Sequence, residues 1–212
     1  MKYIVEKFTN FGVVPVVVIE NAADSPRLGK ALSDGGLPVA EITFRTPAAP
    51  KAIQLMASSC PDLLIGAGTV LTIDQAKTAV ASGAKFIVTP GFDALVVDWC
   101  LKHDIPLFPG VMTPTEINMA LNKGLTALKF FPAEAAGGVK TLKAIGSPYG
   151  DVRFIPTGGI NLNNLGDYLT LPSVLACGGS WLVKKALISG GEFEIITRLA
   201  QEAVEIVKEV RK

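Results

Sequence analysis

Short apolar stretches rich in β-branched residues recur along the chain, and amphipathic patterns of helical period separate them. Each stretch is too continuously apolar for a strand with one wet face, which is typical of parallel strands buried on both faces. The predicted strands are residues 13–19, 38–43, 63–67, 85–89 and 105–108, the run containing Lys129, 152–156 and 173–176.

Helix-start signals lie between several of these strands. The stretch TPTE at 113–116 supplies an N-cap threonine, an N1 proline and an N3 glutamate, a combination that favours a helix beginning there. Thr72 with Gln75 predicts a second capping box. Residues 194–212 keep apolar positions at a 3.6-residue period, so the chain is predicted to end in an amphipathic helix.

The alternation of strands and helices decides the fold class. About eight strand-then-helix units with short connections are what a (β/α)₈ barrel requires. A doubly wound open sheet is the alternative, but its glycine-rich turn is missing after the first strand, where the sequence is ENAA at 20–23. No linker or low-complexity segment divides the chain. We therefore predict one (β/α)₈ TIM-barrel domain spanning residues 1–212.

Composition excludes several classes of partner. The formal net charge of +1 and pI of about 7.7 argue against nucleic acid and anionic membrane partners. The mean hydropathy is +0.41, yet every apolar run is shorter than the roughly 20 residues of a spanning helix. His103 is the only histidine, which disfavours an imidazole metal site. We expect no metal and no cofactor.

Cysteine use and the first residues bear on location. The three cysteines, Cys60, Cys100 and Cys177, stand far apart, which argues against a disulfide framework and fits a reducing compartment. The first residues include Glu6 and lack the apolar core of a secretory signal. We therefore expect a cytoplasmic protein.

Lys129 is the single charge in an otherwise apolar strand. Side-chain alternation places it on one face with Ala127 and Phe131, while Leu128 and Phe130 share the other face. In one interpretation the side chain reaches water along its alkyl stem. In the other, the amine is held neutral inside a closed site.

Polar residues at other strand ends suggest what that site would contain. Glu41, Thr43 and Arg45 share one face of the second predicted strand, and Thr69 follows the third. The carboxyl ends of barrel strands converge on one mouth. Glu41 and Lys129 could form a structural ion pair, which stabilises little, or act as base and nucleophile. Arg45 would bind a substrate carboxylate in fork geometry, with Thr69 as a further donor.

Glycine pairs follow the last two predicted strands. Thr157 precedes Gly158 and Gly159, and Gly179 precedes Ser180. Such segments expose backbone N–H groups in the place where barrels commonly bind phosphate, although they could simply make tight turns. Together the strand ends predict a keto acid with a carboxylate at one end and a phosphate at the other.

Three hypotheses fit such a site. In the first, Lys129 forms a carbinolamine and then a Schiff base that serves as an electron sink, while Glu41 moves protons during carbon–carbon cleavage. In the second, an isomerase or synthase uses Lys129 only to neutralise charge. In the third, the barrel is a sensor that binds a sugar phosphate without turnover.

Five stretches taken together resemble a known family. The sequence from residue 13 onwards is similar to the class I 2-keto-3-deoxy-6-phosphogluconate (KDPG) aldolases, which are also described as 4-hydroxy-2-oxoglutarate (KHG) aldolases. The stretches are VAEITFRT at 39–46, GAGTV at 66–70, LKFFPAE at 128–134, PTGGI at 156–160 and GGSW at 178–181.

The resemblance implies an aldehyde-lyase of the Entner–Doudoroff route that splits KDPG into pyruvate and glyceraldehyde 3-phosphate. It implies that Lys129 forms the Schiff base, that Glu41 is the general acid/base, and that Arg45 and Thr69 hold the pyruvate carboxylate. It also implies a homotrimer. The residues it places around the rest of the substrate are Pro90, Phe131, Thr157, Gly158, Gly159, Gly179 and Ser180.

The resemblance leaves the choice of substrate open in two ways. A galactonate-specific relative differs near the threonine after the seventh strand, so Thr157 favours the gluconate epimer. KHG, the shorter substrate, would use the Lys129 end and leave the phosphate loops idle. Cleavage of KHG to pyruvate and glyoxylate is therefore expected as well.

Overall fold

The computed structural model describes residues 1–212 and alternates strands with helices. The strands are β1 Val13–Val17, β2 Val39–Thr43, β3 Leu64–Gly68, β4 Ile87–Val88, β5 Leu107–Phe108, β6 Gly110–Val111, β7 Ala127–Phe130, β8 Arg153–Pro156 and β9 Cys177–Gly179. The α-helices are α1 Lys2–Phe11, α2 Ser25–Asp34, α3 Ala49–Ser59, α4 Ile73–Ala81, α5 Ala94–Lys102, α6 Pro114–Leu121, α7 Gly138–Gly146, α8 Leu165–Leu169, α9 Lys185–Ser189 and α10 Phe193–Val210. Short 3₁₀ helices span Ala22–Asp24 and Trp181–Val183.

All strand pairs are parallel. One sheet has the order β5-β4-β3-β2-β1-β9 and a second has the order β6-β7-β8. Only Pro109 separates β5 from β6, and isolated parallel bridges join Phe154 to Val174 and Thr157 to Gly178. The α/β architecture predicted from the apolar runs is confirmed, with a parallel sheet that curls into a half-barrel.

Two apolar layers lie on the two faces of the curved sheet. The larger layer packs strands against the helices and includes Leu128. The smaller, inner layer includes Ala127 together with Ile4 and Phe8 from α1, and the Phe8 ring packs among other aromatic rings there. Because side chains alternate along β7, Lys129 shares the inner side with Ala127.

Helix α1 was not among the predicted elements. It leads through Gly12, whose φ of 67° is left-handed, directly into the amino end of β1. The inner layer is therefore filled from the amino ends of the strands, and the opposite ends remain for polar side chains. None of the helices has the length and apolarity needed to cross a membrane.

The predicted cap at the start of α6 is confirmed, and the one at α4 is confirmed in part. The Glu116 N–H donates to Thr113 Oγ1 and the Thr113 N–H donates to Glu116 Oε2. At α4 the Gln75 N–H donates to Thr72 Oγ1, but the Gln75 side chain accepts from the Leu71 N–H rather than from Thr72.

The strand predicted at residues 173–176 is wrong in position. The observed strand is Cys177–Gly179, so the glycines expected in a turn are part of the sheet. A Cβ on Gly178 would lie 2.2 Å from Thr157 Oγ1. Glycine lets this strand approach the end of β8 closely. Two residues of weak strand propensity therefore lie in the sheet.

Candidate active site

Lys129 and Glu41 meet on the inner side of the sheet. Lys129 Nζ lies 3.5 Å from Glu41 Oε1, and the two side chains are only 3% and 4% exposed. Strands β7 and β2 belong to different sheets, so the contact spans the space that the curved strands enclose. The interpretation in which Lys129 reaches water is therefore wrong.

The buried carboxylate of Glu41 accepts fewer hydrogen bonds than it could. Its Oε1 atom is buried and has no hydrogen-bond partner, and 3.5 Å is longer than the roughly 2.8 Å of a charge-assisted bond. A structural ion pair would normally satisfy such an oxygen. A carboxylate oxygen without a partner beside an amine is available to exchange a proton with a reacting group.

Phe131 lies beside Lys129, and Pro90 lies beside the strand that pairs with β7. Lys129 Nζ lies 5.2 Å from the centroid of the Phe131 ring, and that ring packs against Gly158. The Pro90 backbone packs on Gly110, which pairs with Lys129 in register. A Cβ on Gly110 would lie 2.1 Å from the Pro90 carbonyl oxygen, so glycine there admits the Pro90 segment.

Arg45 and Thr69 come together as predicted. Arg45 Nε donates to Thr69 Oγ1 over 3.1 Å. Thr69 has a φ of 54°, a left-handed conformation that is costly for a β-branched residue and that persists where the surroundings enforce it. The prediction that Arg45 shares a strand face with Glu41 and Thr43 is wrong, because β2 ends at Thr43 and Arg45 lies in the turn after it. The buried hydroxyl of Thr43 donates to the Val17 carbonyl. This bond fixes the end of β2 from which Arg45 extends.

The segment after β8 has the backbone that glycine permits. Gly158 has a φ of 103° and Gly159 a φ of 82°, so both positions demand a residue without a Cβ. Thr157 is buried, and its hydroxyl donates to the Ile155 carbonyl over 3.3 Å. The bridge between Thr157 and Gly178 brings this segment beside β9.

The segment at the end of β9 lies beside the segment at 157–159. Gly179 pairs with Pro15 of β1, and a Cβ there would lie 2.3 Å from the Trp181 ring. The close approach of that ring explains a glycine inside a strand. Ser180 follows and is exposed, so its hydroxyl is free to meet a ligand at the carboxyl ends of β8 and β9.

Sequence reasoning missed one polar pair in this region. The Tyr168 hydroxyl donates to Glu134 Oε1, from a tyrosine that is 0% exposed. Burial, together with this hydrogen bond, raises the pKa of Tyr168. The partners are 34 residues apart, and no spacing signal connects them. No cluster of three His, Cys, Asp or Glu side chains stands close enough to hold a metal ion.

The family model and the curated relatives that match this chain are KDPG and KHG aldolases. The sequence model of the KDPG and KHG aldolases matches residues 4–199. A protein of Treponema pallidum (strain Nichols) named 2-dehydro-3-deoxy-phosphogluconate aldolase is 48% identical over 204 residues, which are 96% of this chain and 97% of that protein.

Two solved structures are similar over nearly the whole chain. A KDPG aldolase from Legionella pneumophila, with pyruvate captured at low pH as a covalent carbinolamine intermediate, has a TM-score of 0.91 and 43% identity, covering 94% of this chain and 97% of that one. The KDPG aldolase of Zymomonas mobilis ZM4 with 3-phosphoglycerate has a TM-score of 0.87 and 39% identity, covering 94% of each chain.

Proposed function

The chain belongs to the family of KDPG and KHG aldolases, and on that premise we propose that it cleaves KDPG to pyruvate and glyceraldehyde 3-phosphate through a Schiff base on Lys129. The observation that carries the proposal is the buried pair of Lys129 and Glu41, with Glu41 Oε1 unpartnered. Nucleophile and proton carrier are within reach of one substrate carbon, and bulk water has little access to either.

The reaction begins with proton transfer between the two residues. Glu41 accepts a proton from the Lys129 ammonium, and the free amine attacks C2 of the keto acid to form a carbinolamine. Glu41 returns the proton to the C2 hydroxyl, which leaves as water. The product is a protonated Schiff base whose C=N⁺ bond can accept an electron pair.

Cleavage uses the same carboxylate a second time. Glu41 takes the proton of the C4 hydroxyl, the C3–C4 bond breaks, and its electron pair moves into the C=N⁺ bond. The aldehyde leaves and an enamine of pyruvate remains on Lys129. Glu41 then protonates C3, and hydrolysis of the Schiff base releases pyruvate.

The neighbouring residues orient the substrate around Lys129. Arg45 and Thr69 bind the carboxylate next to the keto group, and Phe131 and Pro90 form the walls. Backbone N–H groups at Gly158, Gly159 and Gly179, with the hydroxyls of Thr157 and Ser180, bind the phosphate end. The 3-phosphoglycerate in the Zymomonas structure supports a phosphate subsite. KHG, without a phosphate, is cleaved at the Lys129 end to pyruvate and glyoxylate.

The proposal includes a closed (β/α)₈ barrel forming a single domain over residues 1–212. Counting β5 and β6 as one strand interrupted at Pro109 gives the eight strands that such a barrel needs. The bridges from Phe154 to Val174 and from Thr157 to Gly178 support closure between β8 and β9. The cysteine usage supports a cytoplasmic location.

We also propose that the chain assembles as a homotrimer, as the family resemblance implies. Leu71, Leu95 and Met112 are exposed apolar side chains that follow neighbouring strands, and burial between subunits would remove them from water. A molar mass measured by light scattering tests this assembly, and a monomer at assay concentrations would contradict it.

Trapping with pyruvate tests the function directly. We expect borohydride to fix one reduced pyruvate per chain, located on Lys129 by peptide mass spectrometry, and to fix none in Lys129→Ala. Lys140→Ala, at an exposed lysine, is the matched control and should label normally. Cleavage rates on KDPG, its galactonate epimer and KHG then rank the substrates. Absence of both an adduct and turnover would refute the aldolase function.

A further inference from the structure

Glu134 lies in the loop after β7 and is bonded to a buried residue of α8. Glu134 is an exposed residue, while its Oε1 accepts a hydrogen bond from Tyr168, which is fully buried in α8. Because burial and the Glu134 carboxylate raise the pKa of Tyr168, the phenol stays protonated and remains a donor across the physiological pH range. The carboxylate is therefore anchored at one oxygen.

The same residue contacts the glycine loop after β8 through both its backbone and its side chain. The Glu134 N–H donates to the Gly158 carbonyl over 3.0 Å. A Cβ on Gly159 would lie 2.6 Å from both Cβ and Cγ of Glu134, so the side chain packs directly on that glycine. On its other side Gly158 touches the Phe131 ring. Glu134 and Phe131 thus contact adjacent glycines of the same loop.

We propose that Glu134 and Tyr168 are positioning residues that hold the 158–159 loop in the conformation that binds the phosphate-bearing end of the substrate. This inference rests on the proposed aldolase function and adds a specificity device to it. Tyr168 fixes Glu134, Glu134 fixes the loop, and neither residue touches the reacting carbons.

Electrostatic repulsion explains why the hydrogen bond from Tyr168 to Glu134 is needed. A free carboxylate beside a phosphate subsite would repel the substrate, and backbone N–H groups bind phosphate only when their loop keeps its shape. The Tyr168 hydroxyl holds one Glu134 oxygen toward the core. Losing that bond releases a negative charge and loosens the loop at the same time, and both changes weaken binding of a phosphorylated substrate.

The decisive variant is Tyr168→Phe, which keeps the ring in the core and removes only the hydroxyl. We expect its KM for KDPG to rise roughly tenfold, the scale of one lost hydrogen bond to a charged group. Its KM for KHG and its kcat on both substrates should stay within about twofold of wild type, since KHG has no phosphate to place. Glu134→Ala should raise the KM for KDPG likewise.

Two further variants separate this role from a general structural one. Glu134→Gln keeps the shape and the acceptor oxygen while removing the charge, so it should bind KDPG at least as well as wild type. Tyr149→Phe loses a hydroxyl bonded to Pro114 and Asn118, away from the loop, and should change neither KM. If Tyr168→Phe fails to fold, Glu134→Ala reports the same contact without altering the core.

Every outcome bears on the inference. An equal rise in KM for KDPG and KHG, a fall in kcat on both, or no change in Tyr168→Phe and Glu134→Ala would overturn it while leaving the aldolase function intact. Absence of turnover and of the pyruvate adduct in wild type would instead remove the proposed function and this inference together.

Discussion

Gly68 leaves the space that the Glu41 carboxylate occupies: a Cβ on Gly68 would lie 2.0 Å from Glu41 Oε1. The two residues lie on neighbouring strands, where Glu41 pairs with Gly66 and Thr43 pairs with Gly68. The position of the Glu41 carboxylate is therefore set by the absence of a side chain on the adjacent strand as much as by β2 itself.

Gly68→Ala should disable proton transfer without unfolding the chain. The added methyl displaces Glu41 by about an ångström, a misplacement on the scale that costs roughly 100-fold in rate. We expect kcat/KM on KDPG to fall by about that factor. Gly150→Ala, with nothing within 4 Å of the added carbon, is the control. Full activity in Gly68→Ala would mean that Glu41 moves freely and does not carry the protons.

Lys129→Met should abolish the pyruvate adduct and leave the fold intact. Methionine fills the space beside Phe131 and Ala127 with an apolar chain, and the Glu41 carboxylate loses its cationic neighbour. We expect the free energy of unfolding, from urea titration, to fall by roughly 3 kcal/mol, because removing one partner leaves the buried Glu41 carboxylate unpaired. An unfolded variant would identify Lys129 as a structural ion-pair partner.

Arg45→Lys should weaken the binding of both substrates to the same degree. The carboxylate beside the keto group is common to KDPG and KHG, and lysine cannot reproduce the planar fork of a guanidinium. We expect KM to rise roughly tenfold for each substrate, with a smaller change in kcat. Arg198→Lys, in an exposed pair with Glu202, serves as the control. A rise for KDPG alone would place Arg45 at the phosphate end instead.

The two charged residues of the site could be predicted because a charged side chain is rare inside an apolar strand. Glu41 and Lys129 are isolated charges in apolar strands, and the period of two places each on a definite face. The contact between them could be predicted only once the strands were assumed to curve around a common space. Their separation of 3.5 Å and the unpartnered Glu41 oxygen depend on packing that the sequence does not encode locally.

The differences between the predicted and the observed elements also have physical causes. Helix α1 carries Ile4 and Phe8 one helical turn apart, a spacing that favours a helix, but two apolar positions in so short a stretch are a weak signal. Strand β9 was placed too early because glycine has weak strand propensity, whereas close packing on Thr157 requires it there. The Tyr168 contact to Glu134 joins residues on separate elements, so no periodicity predicts it.

Ser180→Ala should weaken the binding of KDPG but not of KHG, whereas Arg45→Lys should weaken the binding of both. The Ser180 hydroxyl is exposed at the end of β9, on the side assigned to phosphate, and its loss removes one donor to an anion, worth roughly a tenfold change in binding. We expect KM for KDPG to rise by about that factor and KM for KHG to stay within about twofold. Ser58→Ala, whose hydroxyl bonds only the Gln54 carbonyl on the surface of α3, controls for the loss of a hydroxyl. Equal effects on both substrates would show that the phosphate does not bind beside Ser180, and the donors after β8 would then have to hold it alone.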